Sequence, residues 1–102
     1  ILGQALTIPF PAGTKYVRLT YETSPDAVAV QWLAPAQTAG KKSPYLFTQG
    51  QPIYTRTWIP IQDSPSVRIT YRARIHTQPN FFAVMSATND QKTMSPTGNY
   101  EF

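Results

Sequence analysis

The chain has 102 residues, a length that suits one domain, and at this size folding buries roughly 65% of the surface that the unfolded chain exposes. Hydrophobic residues make up 41% and aromatics 13%, which excludes an intrinsically disordered chain, whereas charged residues reach only 14%. So sparse a charge implies that part of the surface meets another protein or domain. With no cysteine, disulfides, thiolate metal sites and cysteine nucleophiles are excluded, and the net charge of +4 permits contact with polyanions without requiring it.

Ten prolines punctuate the sequence and leave few windows long enough for an uninterrupted helix. The windows between them alternate with period two, the pattern of a half-buried strand. The first short candidate is Ala5–Ile8, followed by a turn at Pro11-Ala12-Gly13. Tyr16 to Glu22 then sets Val17, Leu19 and Tyr21 against Arg18, Thr20 and Glu22. After Ser24-Pro25-Asp26, Val28, Val30 and Trp32 alternate with Ala29 and Gln31. A turn at Ala39–Lys42 precedes a short strand at Tyr45–Thr48, and Pro52–Thr57 suits one helical turn, since proline is accepted at a first helical position. Asp63-Ser64-Pro65 reads as a turn of the Asx type.

The clearest strand is Val67 to Ile75, with Val67, Ile69, Tyr71, Ala73 and Ile75 on one face and Arg68, Thr70, Arg72 and Arg74 on the other. Phe81–Ser86 and Asn99–Phe102 complete the set, separated by a loop from Thr88 to Gly98. The expected fold is therefore all-β, an antiparallel sandwich or saddle-like sheet. It should have about six to eight short strands and at most one short helical turn.

Catalytic constellations are missing. A zinc hydrolase centre needs about three protein ligands, and the chain has one histidine, His76, at the end of a charged strand face. No Gly-x-Ser-x-Gly elbow presents a serine nucleophile, and no glycine-rich phosphate loop is present. The five carboxylates lie in turns or on polar faces, which does not suit a glycosidase pair. The chain by itself is expected to be inactive, with no catalytic residue and no metal site. No run of eighteen apolar residues spans a membrane, and nothing here fixes a cellular compartment. Nucleic acid is not an expected partner: Arg68, Arg72 and Arg74 share a face, but Tyr71 alternates onto the opposite one, away from where a base would stack. An independent binding module for carbohydrate or polyanion, built on Trp32, Trp58 and the tyrosines or on the arginine stripe, remains the alternative reading.

Four segments occur in a distinctive order: Val30-Gln31-Trp32-Leu33-Ala34-Pro35 through Lys41; Pro44-Tyr45-Leu46-Phe47-Thr48-Gln49-Gly50-Gln51; Arg56 with Pro60-Ile61-Gln62-Asp63-Ser64-Pro65; and Phe82-Ala83-Val84-Met85-Ser86-Ala87. Together they resemble the N-terminal domain of the zinc aminopeptidases related to leukotriene A4 hydrolase and aminopeptidase B, from about Tyr16 to Asp90. The resemblance implies a non-catalytic β domain that packs on a zinc-bearing catalytic domain of the same polypeptide. Zinc then belongs to the parent enzyme, and residues 1–102 form a single β domain, the second part of a longer N-terminal domain. It further implies that Gln49, Gly50 and Gln51 border the substrate site and help hold the free amino end of a peptide. A neutral amide suits that task because it offers a carbonyl oxygen to an ammonium donor. Arg56, Pro60, Asp63 and Pro65 match a recurrent pattern of the family and read as a structural turn, in which Arg and Asp pair. Where the family often has cysteine after the first proline, this chain has Ile61. A sheet short of strands leaves unpaired edges, so self-association is also expected.

Overall fold

In the computed structural model, which describes residues 3–102, the regular backbone is all β apart from two single 3-10 turns. The chain divides after Val67 into two compact units, each holding one two-stranded antiparallel sheet.

In the first unit, β1 (Val30–Leu33) pairs with β2 (Tyr45–Thr48), with Val30 opposite Thr48 and Leu33 opposite Tyr45. The ladder runs one step further, because Gln49 donates its backbone N–H to Ala29 O at 2.8 Å. This register sets Trp32 beside Leu46, an apolar cross-strand pair that remains open to solvent, with Trp32 57% exposed. On the other face the Tyr45 and Phe47 rings stack at 5.9 Å. Small residues make the dry centre of this unit: Ala27 and Ala29 are buried, and Ala29 N–H donates to the Thr57 hydroxyl at 3.2 Å.

The connection from β1 to β2 is built from turn chemistry. Pro35 opens the 3-10 turn Pro35–Gln37, where its missing N–H costs nothing, and Gln37 Oε1 accepts from the Ala34 N–H at 2.9 Å. The Thr38 hydroxyl donates to Pro35 O and Ser43 O, and Lys41 takes a left-handed backbone with φ of 52°.

In the second unit, β3 (Arg74–His76) pairs with β4 (Asn99–Glu101), and Ala73 and Phe102 exchange two backbone hydrogen bonds of 3.0 Å beyond its end. Tyr100 is the anchor, only 2% exposed. Its hydroxyl donates to Phe81 O at 2.7 Å and accepts from the Ser95 N–H at 2.9 Å, and its ring meets Phe82 edge-on. Gly98 has φ of 72°, and a Cβ there would lie 1.9 Å from Thr77 O, so only glycine closes the approach to β4. The exposed Arg74–Glu101 ion pair across this ladder adds little.

The all-β class agrees with the alternation in the sequence, but among the described residues four hydrogen-bonded strands form where about six to eight were expected. Ala5–Ile8, Tyr16–Glu22 and Phe81–Ser86 have no ladder, and of Val67–Ile75 only the last residues are paired. Alternation records which side chains want a dry face, whereas a strand also needs a neighbouring backbone. The expected helical turn falls within Pro52–Thr57, as the 3-10 turn Thr55–Thr57, and the turn Pro35–Gln37 is a second one.

Tyr100→Phe should strand the Ser95 N–H and remove one donor from the Phe81 carbonyl, which keeps the Thr77 hydroxyl at 3.4 Å. It is expected to cost about 1–3 kcal/mol, read as a lower denaturation midpoint with an unchanged slope.

Candidate functional site

The segment that leaves β2 carries Gln49, Gly50 and Gln51, for which the family resemblance implies a substrate role. Gln49 is fixed by its backbone bond to Ala29, while its side chain stands exposed. Its Nε2 donates to Gln51 Oε1 at 3.5 Å, so the two amides face each other across Gly50. No hydrogen bond within the described chain engages Gln49 Oε1 or the Gln51 amide nitrogen.

Gly50 is held from behind. Its carbonyl accepts from the Tyr54 N–H at 2.7 Å, and a Cβ built on it would lie 2.2 Å from the Thr55 hydroxyl oxygen. The close approach that glycine permits here is therefore made by Thr55. The Gln51–Pro52 peptide is cis, and the chain turns into Thr55–Thr57.

Thr57 is a positioning residue that sequence reasoning did not single out. Its hydroxyl donates to Tyr54 O at 2.7 Å and accepts from the Ala29 N–H, tying the turn to the start of β1. A threonine at the end of a one-turn helix is the only sign of this in the sequence.

Arg56 and Asp63 lock the far side of the segment. Asp63 Oδ2 accepts from the Arg56 N–H at 2.9 Å and from its Nε at 3.4 Å, and Arg56 Nη2 donates to Asp63 O at 2.7 Å. The carboxylate is well covered, so this pair is worth more than an open surface one. Pro60 and Pro65 are both exposed at the bends flanking Asp63. Between Gln49 and Val67 these are the only two charged residues, and they compensate each other.

Among the described residues no three His, Cys, Asp or Glu side chains lie close enough to hold a metal. His76 stands exposed in the second unit, with its Nδ1 hydrogen-bonded to Asn99 Oδ1 at 2.8 Å. An open depression of about 410 Å³ lies between Leu33, Gln37–Ala39 and Ser43–Tyr45, and none of the site residues lines it. No helix among the described residues is long and apolar enough to cross a membrane.

Residues 4–102 match the peptidase M1 N-terminal domain, and the chain belongs to that family. Its relatives include human aminopeptidase B, 44% identical over 88% of this chain. Leucine aminopeptidase 2 of Yarrowia lipolytica is 40% identical over 100% of it. Leukotriene A-4 hydrolase of Xenopus laevis is 42% identical over 83%. The chain spans 14–16% of the length of these relatives.

Gly50→Ala should destabilise the fold by about 1–3 kcal/mol through crowding against Thr55, and most of that loss should vanish in a Thr55→Ala background. A double-mutant cycle by chemical denaturation reads the coupling. Asp63→Ala, which strips both Arg56 contacts from the carboxylate, should cost about 1–2 kcal/mol in the same assay.

Proposed function

We infer that this chain is a non-catalytic part of the N-terminal domain of a zinc aminopeptidase. It packs on the catalytic domain of the same polypeptide and lends one wall to the substrate cleft through Gln49-Gly50-Gln51. The observation that carries this reading is the amide pair itself. Gln49 and Gln51 are exposed, turned toward each other, and mounted on a loop braced by Thr55, Thr57 and the Arg56–Asp63 lock. With Gln51 Oε1 receiving the neighbouring amide, Gln49 Oε1 is left to accept from the ammonium group of a peptide's free amino end. Membership of the M1 N-terminal family, together with relatives named as aminopeptidases, supports the substrate class.

The division of labour follows from the side chains. This chain supplies shape and neutral amides, while the zinc implied by the family resemblance is assigned to the catalytic domain, since the described residues hold no cluster of three metal-ligating side chains.

In the longer polypeptide that contains this chain, Gln49→Ala and Gln51→Ala should each lower kcat/KM for aminoacyl amides by about 10- to 100-fold, the worth of a hydrogen bond to a charged group. The thermal midpoint should stay within about a degree, since neither side chain supports the fold. Unchanged kcat/KM in both variants would remove the amides from the cleft. Robust amide hydrolysis by residues 1–102 alone with added zinc would show that the chain is not an inert module.

A further inference from the structure

We propose that the Ser43 hydroxyl is a phosphorylation site for a protein kinase that requires proline immediately after the serine it modifies. Serine precedes proline four times in the chain, at Ser24-Pro25, Ser43-Pro44, Ser64-Pro65 and Ser95-Pro96. Proline drives the residue before it toward an extended backbone and offers no N–H of its own, so the pair is a compact recognition element. The surroundings of the four hydroxyls decide between them. Ser95 is only 5% exposed, and its Oγ accepts from the Asn99 N–H at 3.2 Å. The Ser24 Oγ accepts from the Asp26 N–H at 3.2 Å, with the acidic residue two positions on. The Ser64 and Ser66 hydroxyls share a hydrogen bond of 3.1 Å, and Ser64 directly follows Asp63. At Ser24 and Ser64 an incoming phosphoryl group therefore meets like charge close by.

Ser43 differs on each count. It lies in the connection from β1 to β2, where every residue from Ala39 to Ser43 is exposed. Its carbonyl accepts from the Thr38 hydroxyl at 3.1 Å, while its own hydroxyl makes no hydrogen bond to a described residue. The connection is lightly tied: the Lys41 N–H reaches Thr38 O at 3.2 Å, and Pro44 has no N–H to add to the ladder. A loop tip of this kind enters a kinase groove without unpairing β1 and β2. The charge is also favourable. No acidic residue occurs from Ala27 to Gln62, and Lys41 and Lys42 directly precede Ser43. Lys41 Nζ reaches back to Ala36 O at 3.1 Å, and Lys42 is exposed. In the transfer, Ser43 Oγ attacks the γ-phosphorus of a magnesium-bound nucleoside triphosphate. The new O–P bond forms as the bond from that phosphorus to the β–γ bridging oxygen breaks, the hydroxyl proton passes to the base of the kinase, and the nucleoside diphosphate leaves. The product carries about −1.5 to −2 charge at pH 7, next to the two lysines and at the rim of the depression that Ser43 lines with Leu33, Thr38 and Tyr45.

The test treats the longer polypeptide that contains this chain with a proline-directed mitogen-activated kinase and Mg-ATP, and maps the phosphate by mass spectrometry. Phosphate on Ser43 should exceed that on Ser24, Ser64 or Ser95 by about tenfold or more, and Ser43→Ala should remove it. A peptide of residues 39–48 carries the same acceptor free of any folding effect. It should be modified on Ser43, and its Pro44→Ala form, which keeps the hydroxyl, about tenfold more slowly. An unmodified Ser43 in the folded protein would overturn the proposal whether or not the peptide accepts phosphate. Preferential modification of Ser24 or Ser64 would overturn it as well, and equal rates on the two peptides would defeat the requirement for proline. The site stands apart from the cleft assigned to Gln49-Gly50-Gln51, so kcat/KM in the glutamine variants has no bearing on it.

Discussion

Both units are organised by the need of a β backbone for a neighbour. Each sheet has two strands, so each strand pairs along one edge and leaves the other open. With so few ladders, apolar side chains gather no deep interior. Among the described residues the buried apolar ones are Ala27, Ala29 and Tyr100, while Leu6, Tyr16, Ile69 and Val84 all stand in water. Order then comes from discrete polar ties rather than from a thick core. Thr57 binds the turn to β1, Arg56 binds Asp63, and the Tyr100 hydroxyl binds two loops of the second unit.

The sequence showed the class of structure well and its extent poorly. Tyr45–Thr48 and the segment around Val30 and Trp32 were legible because alternation there coincides with a partner in antiparallel register. Tyr16–Glu22 has an alternation just as clean and no ladder, because periodicity describes a strand's faces and is silent about its edges. The same limit shortened Val67–Ile75 to a three-residue ladder at its end, where β4 lies opposite. The turn Pro35–Gln37 went unread although proline and a following Gln encode it, since the cap is a side-chain contact and not a pattern.

The candidate site divides in a similar way. Gln49, Gly50 and Gln51 stood out through family resemblance, because two loop glutamines have no signature of their own. What holds them was hidden. Gly50 is fixed by Thr55 packing against it, and the loop is fixed by Thr57, contacts between residues whose spacing follows no period.

The internal compensation of Arg56 by Asp63 has a consequence for how the amide segment meets a ligand. A stretch with no net charge from Gln49 to Val67 projects only short-range dipoles, which fall off faster than a monopole. Ionic strength therefore has little to screen between this segment's own charges and a ligand. On the proposed reading of Gln49-Gly50-Gln51 as part of a substrate cleft, the segment itself adds no long-range pull on a cationic end group and discriminates by position, at contact distance.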